Sequence, residues 1–274
     1  MSALSLQLKG CSVFFLFRNL RRRRLTNVAF PEPWEATLRA QARFAQLLVP
    51  EQQRRLRQSI QILVHEKYWE GCGGLVMSDE IKVTVAAHAS RLTLGLEQEF
   101  FDHVKTVLVY PDAYTAPSRD VLGPGVVLEG QSERVGEAWH RGPVILAWQE
   151  VLGATRRGRR DGNVVLHEFA HQLDMRNGAE ADGVPVIESK ELAARWVRAM
   201  RHHYEWLCRA CDHGHPTVLD CYGTMNLAEF FAVVTEAFFE RPRALRQQMP
   251  QLYELFRDYY RQDTAPDTPE LGLT

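Results

Sequence analysis

Residues His167-Glu168-Phe169-Ala170-His171 set two imidazoles and a carboxylate at a spacing that suits metal-assisted hydrolysis. On a helix, positions i and i+4 lie one above the other, so both imidazoles can reach a single ion. The glutamate between them is placed to take a proton from a water that the ion activates. A catalytic zinc takes three protein ligands and keeps one position for water or substrate, so the pair alone is incomplete.

The flanking sequence predicts the helix that such a pair needs. Val165, Leu166, Phe169, Ala170 and Leu173 recur at helical spacing as an apolar stripe, with His167, His171 and Asp174 on another face. Asp161-Gly162-Asn163 suits the start of that helix and Asn177-Gly178 its exit. Asp174, one turn beyond His171, either orients a ligand histidine or faces solvent.

The third ligand must come from elsewhere. A third histidine in the pattern H-E-x-x-H-x-x-G-x-x-H is absent, because Asp174 and Asn177 fill the glycine and histidine positions. Downstream glutamates are the alternative, and Glu188, Glu191, Glu205, Glu229 and Glu236 are candidates. Glu191 follows His171 by 20 residues, an interval seen in thermolysin-like enzymes, but Ser189-Lys190-Glu191-Leu192 lacks the rest of that pattern. Glu229 opens an apolar helix, where it could instead form a capping box with Asn226. Residue chemistry leaves Glu191 and Glu229 equally open. Glu236, two turns past Glu229, is a candidate for supporting a ligand from behind. Cys208, Cys211, His213 and His215 are spaced too tightly for a usual zinc finger, and the two cysteines read as small packed hydrophobes.

The chain has 274 residues, 45% hydrophobic and 24% charged, with a net charge of -1. Those proportions fit a globular protein, and the charge argues against direct nucleic-acid binding. The 5 cysteines do not read as a disulfide framework, so a reducing, cytoplasmic setting is expected. Cys11 to Phe17 is apolar and arginines follow at 18 and 21 to 24, which is the wrong order for a secretory signal. The apolar run is also too short to span a membrane. Residues 1–29 are therefore expected to be a basic, flexible extension.

The folded region is expected over residues 30–262. A helical pattern runs from Trp34 to about Glu70, divided at Pro50. Asp79 to Leu96 reads as a buried helix, and Thr106 to Tyr110 as a strand. Val126-Val127-Leu128 and Val144 to Trp148 are further strands, and Arg156 to Arg160 form a basic, solvated loop. Helices are expected from Ser189 to Cys211, Leu227 to Glu240 and Leu252 to Tyr260. The Pro, Asp and Thr content after Gln262 predicts a disordered tail over residues 263–274.

The run from His167 to Asp174, then Asn177-Gly178, Asp220-Cys221-Tyr222 and Ala228 to Val233, resembles the Mlc titration factor A family. Trp139 to Val144 and Val109-Tyr110-Pro111 look like segments of the same family. The resemblance covers roughly residues 30 to 262. It implies a bacterial cytosolic zinc peptidase with an α+β, zincin-like fold, built from a small mixed sheet and an N-terminal helical portion. That fold is related to the catalytic domain of anthrax lethal factor. Carried onto this chain, the resemblance makes His167, His171 and Glu229 the ligands of one zinc ion and Glu168 the general base. It makes Tyr222, 7 residues before Glu229, the catalytic tyrosine. The intervening Gly223-Thr224-Met225-Asn226 differs from relatives, which bears on substrate preference rather than chemistry. The implied substrates are peptides or proteins, with aminopeptidase action on short peptides as the narrower expectation. The alternative that the family implies is a regulatory protein that sequesters a transcriptional repressor such as Mlc.

Overall fold

A computed structural model describes residues 17–266, apart from residues 98, 113, 124–125, 135, 139–141, 156–161 and 179. The chain begins with α1 (residues 17–26), α2 (Glu32–Gln41), a 3-10 turn (Arg43–Leu47) and α3 (Pro50–Glu66). Then come β1 (Tyr68–Gly71), α4 (Asp79–Thr93), β2 (Thr106–Tyr110), β3 (Tyr114–Gly123), β4 (Val126–Arg134), β5 (Gly136–Ala138) and β6 (Val144–Ala147). The remainder is helical: α5 (Trp148–Thr155), α6 (Val164–Asp174), α7 (Lys190–Asp212), α8 (Leu227–Glu240), α9 (Pro242–Gln248) and α10 (Pro250–Tyr260). Short 3-10 turns at Met175–Asn177 and Cys221–Thr224 follow α6 and precede α8.

This is an α+β architecture, mostly helical. One sheet has the order β1-β2-β6-β5, with β1, β2 and β6 parallel and β5 antiparallel to β6. In β2, Val107 and Val109 are buried while Thr106, Leu108 and Tyr110 are only partly so, the period-two pattern of a strand with one covered face. β3 and β4 pair as a separate antiparallel hairpin.

Helix α8 is buried on nearly every side, which makes it the centre of the helical half. Phe231 of α8 lies 5.7 Å from Phe256 of α10, and Trp196 of α7 stacks on Phe256 at 5.1 Å between ring centroids. Each fully buried ring of this kind contributes on the order of 2–3 kcal/mol by leaving water. The apolar stripe of α6 is buried as expected, and Phe169 meets Phe101 edge to face at 4.8 Å. Gly183 ties three elements together. Its N–H donates to Asp174 Oδ2 at 2.7 Å and its carbonyl accepts from Trp196 Nε1 at 2.8 Å. At φ +79 with Leu227 O only 2.5 Å from where a Cβ would stand, the position admits glycine alone.

Several expectations need correction. The helix expected to reach Glu70 stops at Glu66, and Tyr68–Gly71 pairs with β2 instead. Tyr68 and Trp69 suit a strand, and sheet pairing overrides the helical periodicity read through them. Residues 17–26, expected within a flexible extension, form α1. Buried Arg22 of α1 meets Glu66 of α3 at 2.5 Å and pairs with Asp102. The carboxylate partners of Arg22 lie 44 and 80 residues away in sequence, so nothing within residues 1–29 shows that this segment packs. At the other end, residues 263–265 are tied to the fold rather than disordered. Tyr253 Oη donates to Asp263 and accepts from the Ala265 amide, and Ala265 is buried. Cys11, the basic run 156–160, residues 139–141 and residues 267–274 lie outside the described residues. Among the described residues, no helix is long and apolar enough to cross a membrane.

Candidate metal centre

Helix α6 presents His167 and His171, and the first turn of α8 presents Glu229 opposite them. His167 Nε2 lies 2.9 Å from Glu229 Oε2 and 3.2 Å from His171 Nε2, and His171 Nε2 lies 3.5 Å from Glu229 Oε2. The ligand atoms of all three lie within 4.8 Å of one another. Tetrahedral zinc with bonds of about 2.0–2.1 Å sets its ligand atoms about 3.3 Å apart, so the spacing fits that ion. Two imidazole nitrogens facing each other at 3.2 Å also call for a proton or a cation between their lone pairs. The donor types are those that zinc accepts.

Local chemistry aims each donor. Asn163 caps α6 by accepting from the Leu166 amide at 3.2 Å. Its side-chain amide donates to His88 Nδ1 at 3.0 Å, while His88 Nε2 donates to the Gln41 carbonyl at 3.1 Å. That arrangement fixes the neutral tautomer, and burial lowers the His88 pKa in the same sense. Asn226 caps α8 through the Glu229 amide at 2.9 Å. Only half of a capping box forms, because the Glu229 carboxylate turns to the histidines instead.

Glu236 stands behind the site. Its Oε1 is 2.8 Å from His167 Nδ1, and its Oε2 accepts from the Asn163 amide. A Cβ on Gly162 would sit 1.8 Å from Glu236 Oε2, so a residue without a side chain is needed there for the carboxylate to reach its place. Burial opposes the charged imidazole of His167, but hydrogen bonds to Glu229 and Glu236 outweigh it and hold its pKa well above the usual value. For Glu229, burial raises the carboxyl pKa while the two histidines lower it further, to about 2.

Glu168 is buried on α6 between the two histidines in sequence. Tyr222 sits in the 3-10 turn Cys221–Thr224, with 53% of its surface exposed and its ring 5.9 Å from that of His167. Burial, then the charges of Glu229 and Glu168, raise the Tyr222 pKa, so the phenol keeps its proton at neutral pH. A disulfide between Cys211 at the end of α7 and Cys221 holds this turn. Cys211 packs against the core as expected, but it is also bridged, which removes the cysteine argument for a reducing compartment. Sequence spacing could not show that α7 and the turn approach to a Cα–Cα distance of 5.9 Å.

The other candidate glutamates stay away from the centre. Glu191 is exposed and accepts from Ser189, Glu188 meets Arg261 at 3.4 Å, and Glu205 is exposed. Asp174 faces neither solvent nor a ligand histidine through a hydrogen bond. It is buried, binds the Gly183 amide, and burial raises its pKa to about 6. Among the described residues, His167, His171 and Glu229 form the cluster with metal-ligand geometry, and Cys208, His213 and His215 do not join one. Sequence reasoning missed the double role of Asn163 and the need for Gly162. The glycine directly before a helix cap was the available signal.

Two facing helices that offer histidine, histidine and carboxylate donors define a centre of the kind that metallopeptidases use. The family described as "Glucose-regulated metallo-peptidase M90" matches residues 17–261, and the chain belongs to that family. The match starts within α1, so the N-terminal helix is part of the family's common extent. An uncharacterized protein of Synechocystis, slr2042, is 38% identical over 243 residues, which cover 88% of this chain and 87% of the relative. Proteins named Mlc titration factor A from Yersinia pestis and Yersinia pseudotuberculosis are each 32% identical over 221 residues, 80% of either chain.

Proposed function

We propose that this chain is a zinc-dependent peptidase with a zincin-like fold. In this reading His167, His171 and Glu229 hold one zinc ion, Glu168 is the general base and Tyr222 stabilises the oxyanion. The observation that carries it is the convergence of the three ligand atoms within 4.8 Å, with Glu168 on the same helix as both histidines. When bound, zinc supplies a Lewis acid that polarises a carbonyl and lowers the pKa of water to about 7. Glu168 takes the proton of the attacking water and returns it to the leaving amine. The Tyr222 hydroxyl, protonated at neutral pH, donates to the charge that develops on the carbonyl oxygen. Glu236 holds the His167 ring so that its Nε2 faces Glu229. Short peptides attacked from the N-terminus, a cytoplasmic setting and a peptidase domain over residues 30–262, extended here to include α1, belong to the same proposal.

The test is a peptide-library digestion read by mass spectrometry, with zinc measured by elemental analysis. Glu168→Gln should keep one zinc per chain and lose at least about 100-fold in cleavage rate. Tyr222→Phe, which retains the ring beside His167, should lose about 100-fold or more. A zinc-loaded Glu168→Gln protein that cleaves at the wild-type rate would falsify the mechanism.

A second reading is favoured by the name of the Yersinia relatives, which speaks of Mlc. Here the main role is to sequester a repressor of the Mlc type. Capture of such a repressor by a His167→Ala, His171→Ala protein would favour this reading. Loss of capture together with the metal would tie it to the site.

A further inference from the structure

A cavity of about 430 Å³ opens beside α1 and α3, shares no lining residue with the metal centre, and is lined by more arginines than any other residue type. Arg18, Arg22, Arg23, Arg54 and Arg55 line it, with Glu51 as the one carboxylate of the lining. Three carboxylates balance part of this charge. Asp102 pairs with Arg18 at 2.8 Å, Glu66 and Asp102 hold Arg22, and Glu51 meets Arg54 at 2.5 Å. Among the described residues, five guanidinium groups against those three carboxylates leave an excess of two positive charges. Arg23 is exposed and its guanidinium meets no carboxylate among the described residues. Arg55 spends one nitrogen on the Leu96 carbonyl at 2.6 Å and keeps its other donors. Gln58, Ser59 and Thr26 add neutral polar groups to the same lining, and Phe100, with Arg22 4.6 Å above its ring, adds an apolar wall.

We infer that this cavity binds a phosphate monoester or a comparable dianion. Guanidinium forks match the oxygens of a phosphate in pairs, and a dianion would neutralise the excess of two charges. The neutral polar groups suit hydroxyls on the rest of the ligand, and the volume suits a small organic phosphate. Arg22 is buried and fixed through Nε and Nη2 by Glu66 and Asp102, so it adds charge to the wall and keeps Nη1 as its remaining donor. Arg23 and Arg54 lie at the exposed rim, where Arg54 is held by Glu51 and Gln58 and Arg23 keeps its fork for a ligand. The same chemistry describes a soluble phosphate ester and the headgroup of an anionic phospholipid. Exposed Phe17 and Leu20 on α1 lie next to these arginines in the chain, which keeps the lipid source in the test.

The experiment is calorimetric titration of the full-length, zinc-loaded protein with inorganic phosphate and with glycerol 3-phosphate, against sodium chloride at equal ionic strength. The comparison protein is Arg23→Ala, Arg54→Ala, which changes rim residues whose loss should cost little stability. Saturable binding that weakens by about ten-fold or more in the double variant supports the inference. Equal heats from phosphate and chloride, or unchanged affinity in the double variant, overturn it. Sedimentation with vesicles of phosphatidic acid in phosphatidylcholine, with and without competing glycerol 3-phosphate, assigns the source. Competed sedimentation supports a headgroup, and soluble binding without sedimentation supports a free ester. Vesicle binding that neither competitor nor double variant reduces, without soluble binding, overturns the cavity as the site. Zinc content and peptide cleavage should not change in the double variant, so this inference and the proposed peptidase activity fail independently.

Discussion

At the scale of single residues, the candidate metal centre is held by a carboxylate outside its ligand cluster. Glu236 bonds the far nitrogen of His167 and the amide that starts α6, so it fixes both the ring and the helix that carries it. Partners of this kind orient ligand imidazoles and raise their basicity. Glu236→Gln should lower zinc affinity by about 10–100-fold, read by competition with a chromogenic chelator. Unchanged affinity would show that His167 is oriented by packing alone. The candidate ligand types were legible in the sequence because spacing on one helix sets two of them. The choice of Glu229 over Glu191 was not legible from spacing, because it depends on which helix crosses α6. In three dimensions Glu191 is exposed beside Ser189, while the Glu229 carboxylate leaves its capping box half-used and faces the histidines.

At the scale of elements, α6 works because its start is pinned on three sides. Asn163 caps the helix, bonds His88 of α4 and receives Glu236 of α8 through its amide. Asn163→Ala should cost about 1–2 kcal/mol in urea unfolding of the zinc-free protein, from the lost cap and the unpaired His88 nitrogen. Asn163→Ser restores the cap and should recover part of that loss; equal stability of the alanine and wild-type proteins would contradict the role. Helices with a strong apolar period were readable, and α8 runs from Leu227 to Glu240 as its pattern predicts. Elements set by tertiary partners were not. β1 exists because β2 lies beside it, α1 because Glu66 and Asp102 receive Arg22, and α9 is a short turn of helix with one buried residue.

At the scale of the whole molecule, the sheet half and the α1–α3 half meet over buried charge. Lys67 is buried between α3 and β1, with Nζ donating to the Phe101 carbonyl at 2.6 Å. Burial lowers its pKa from 10.5 to about 8, against the opposing pull of Asp102 and Glu66. Between those values the unfolded chain holds a proton that the folded chain has released, so this contribution to stability rises with pH. Wild-type protein should therefore gain on Lys67→Met in urea unfolding between about pH 7.5 and about pH 9.5. Parallel stabilities over that range would mean that Lys67 stays charged in the fold. The α+β plan as a whole serves one arrangement, the crossing of α6 and α8 that brings His167, His171 and Glu229 together. The most direct test of that arrangement is anomalous diffraction at the zinc edge from crystals of the zinc-loaded protein. The account predicts one peak within about 2.0–2.2 Å of His167 Nε2, His171 Nε2 and a Glu229 oxygen. A peak coordinated without Glu229, or no peak between α6 and α8, would contradict it.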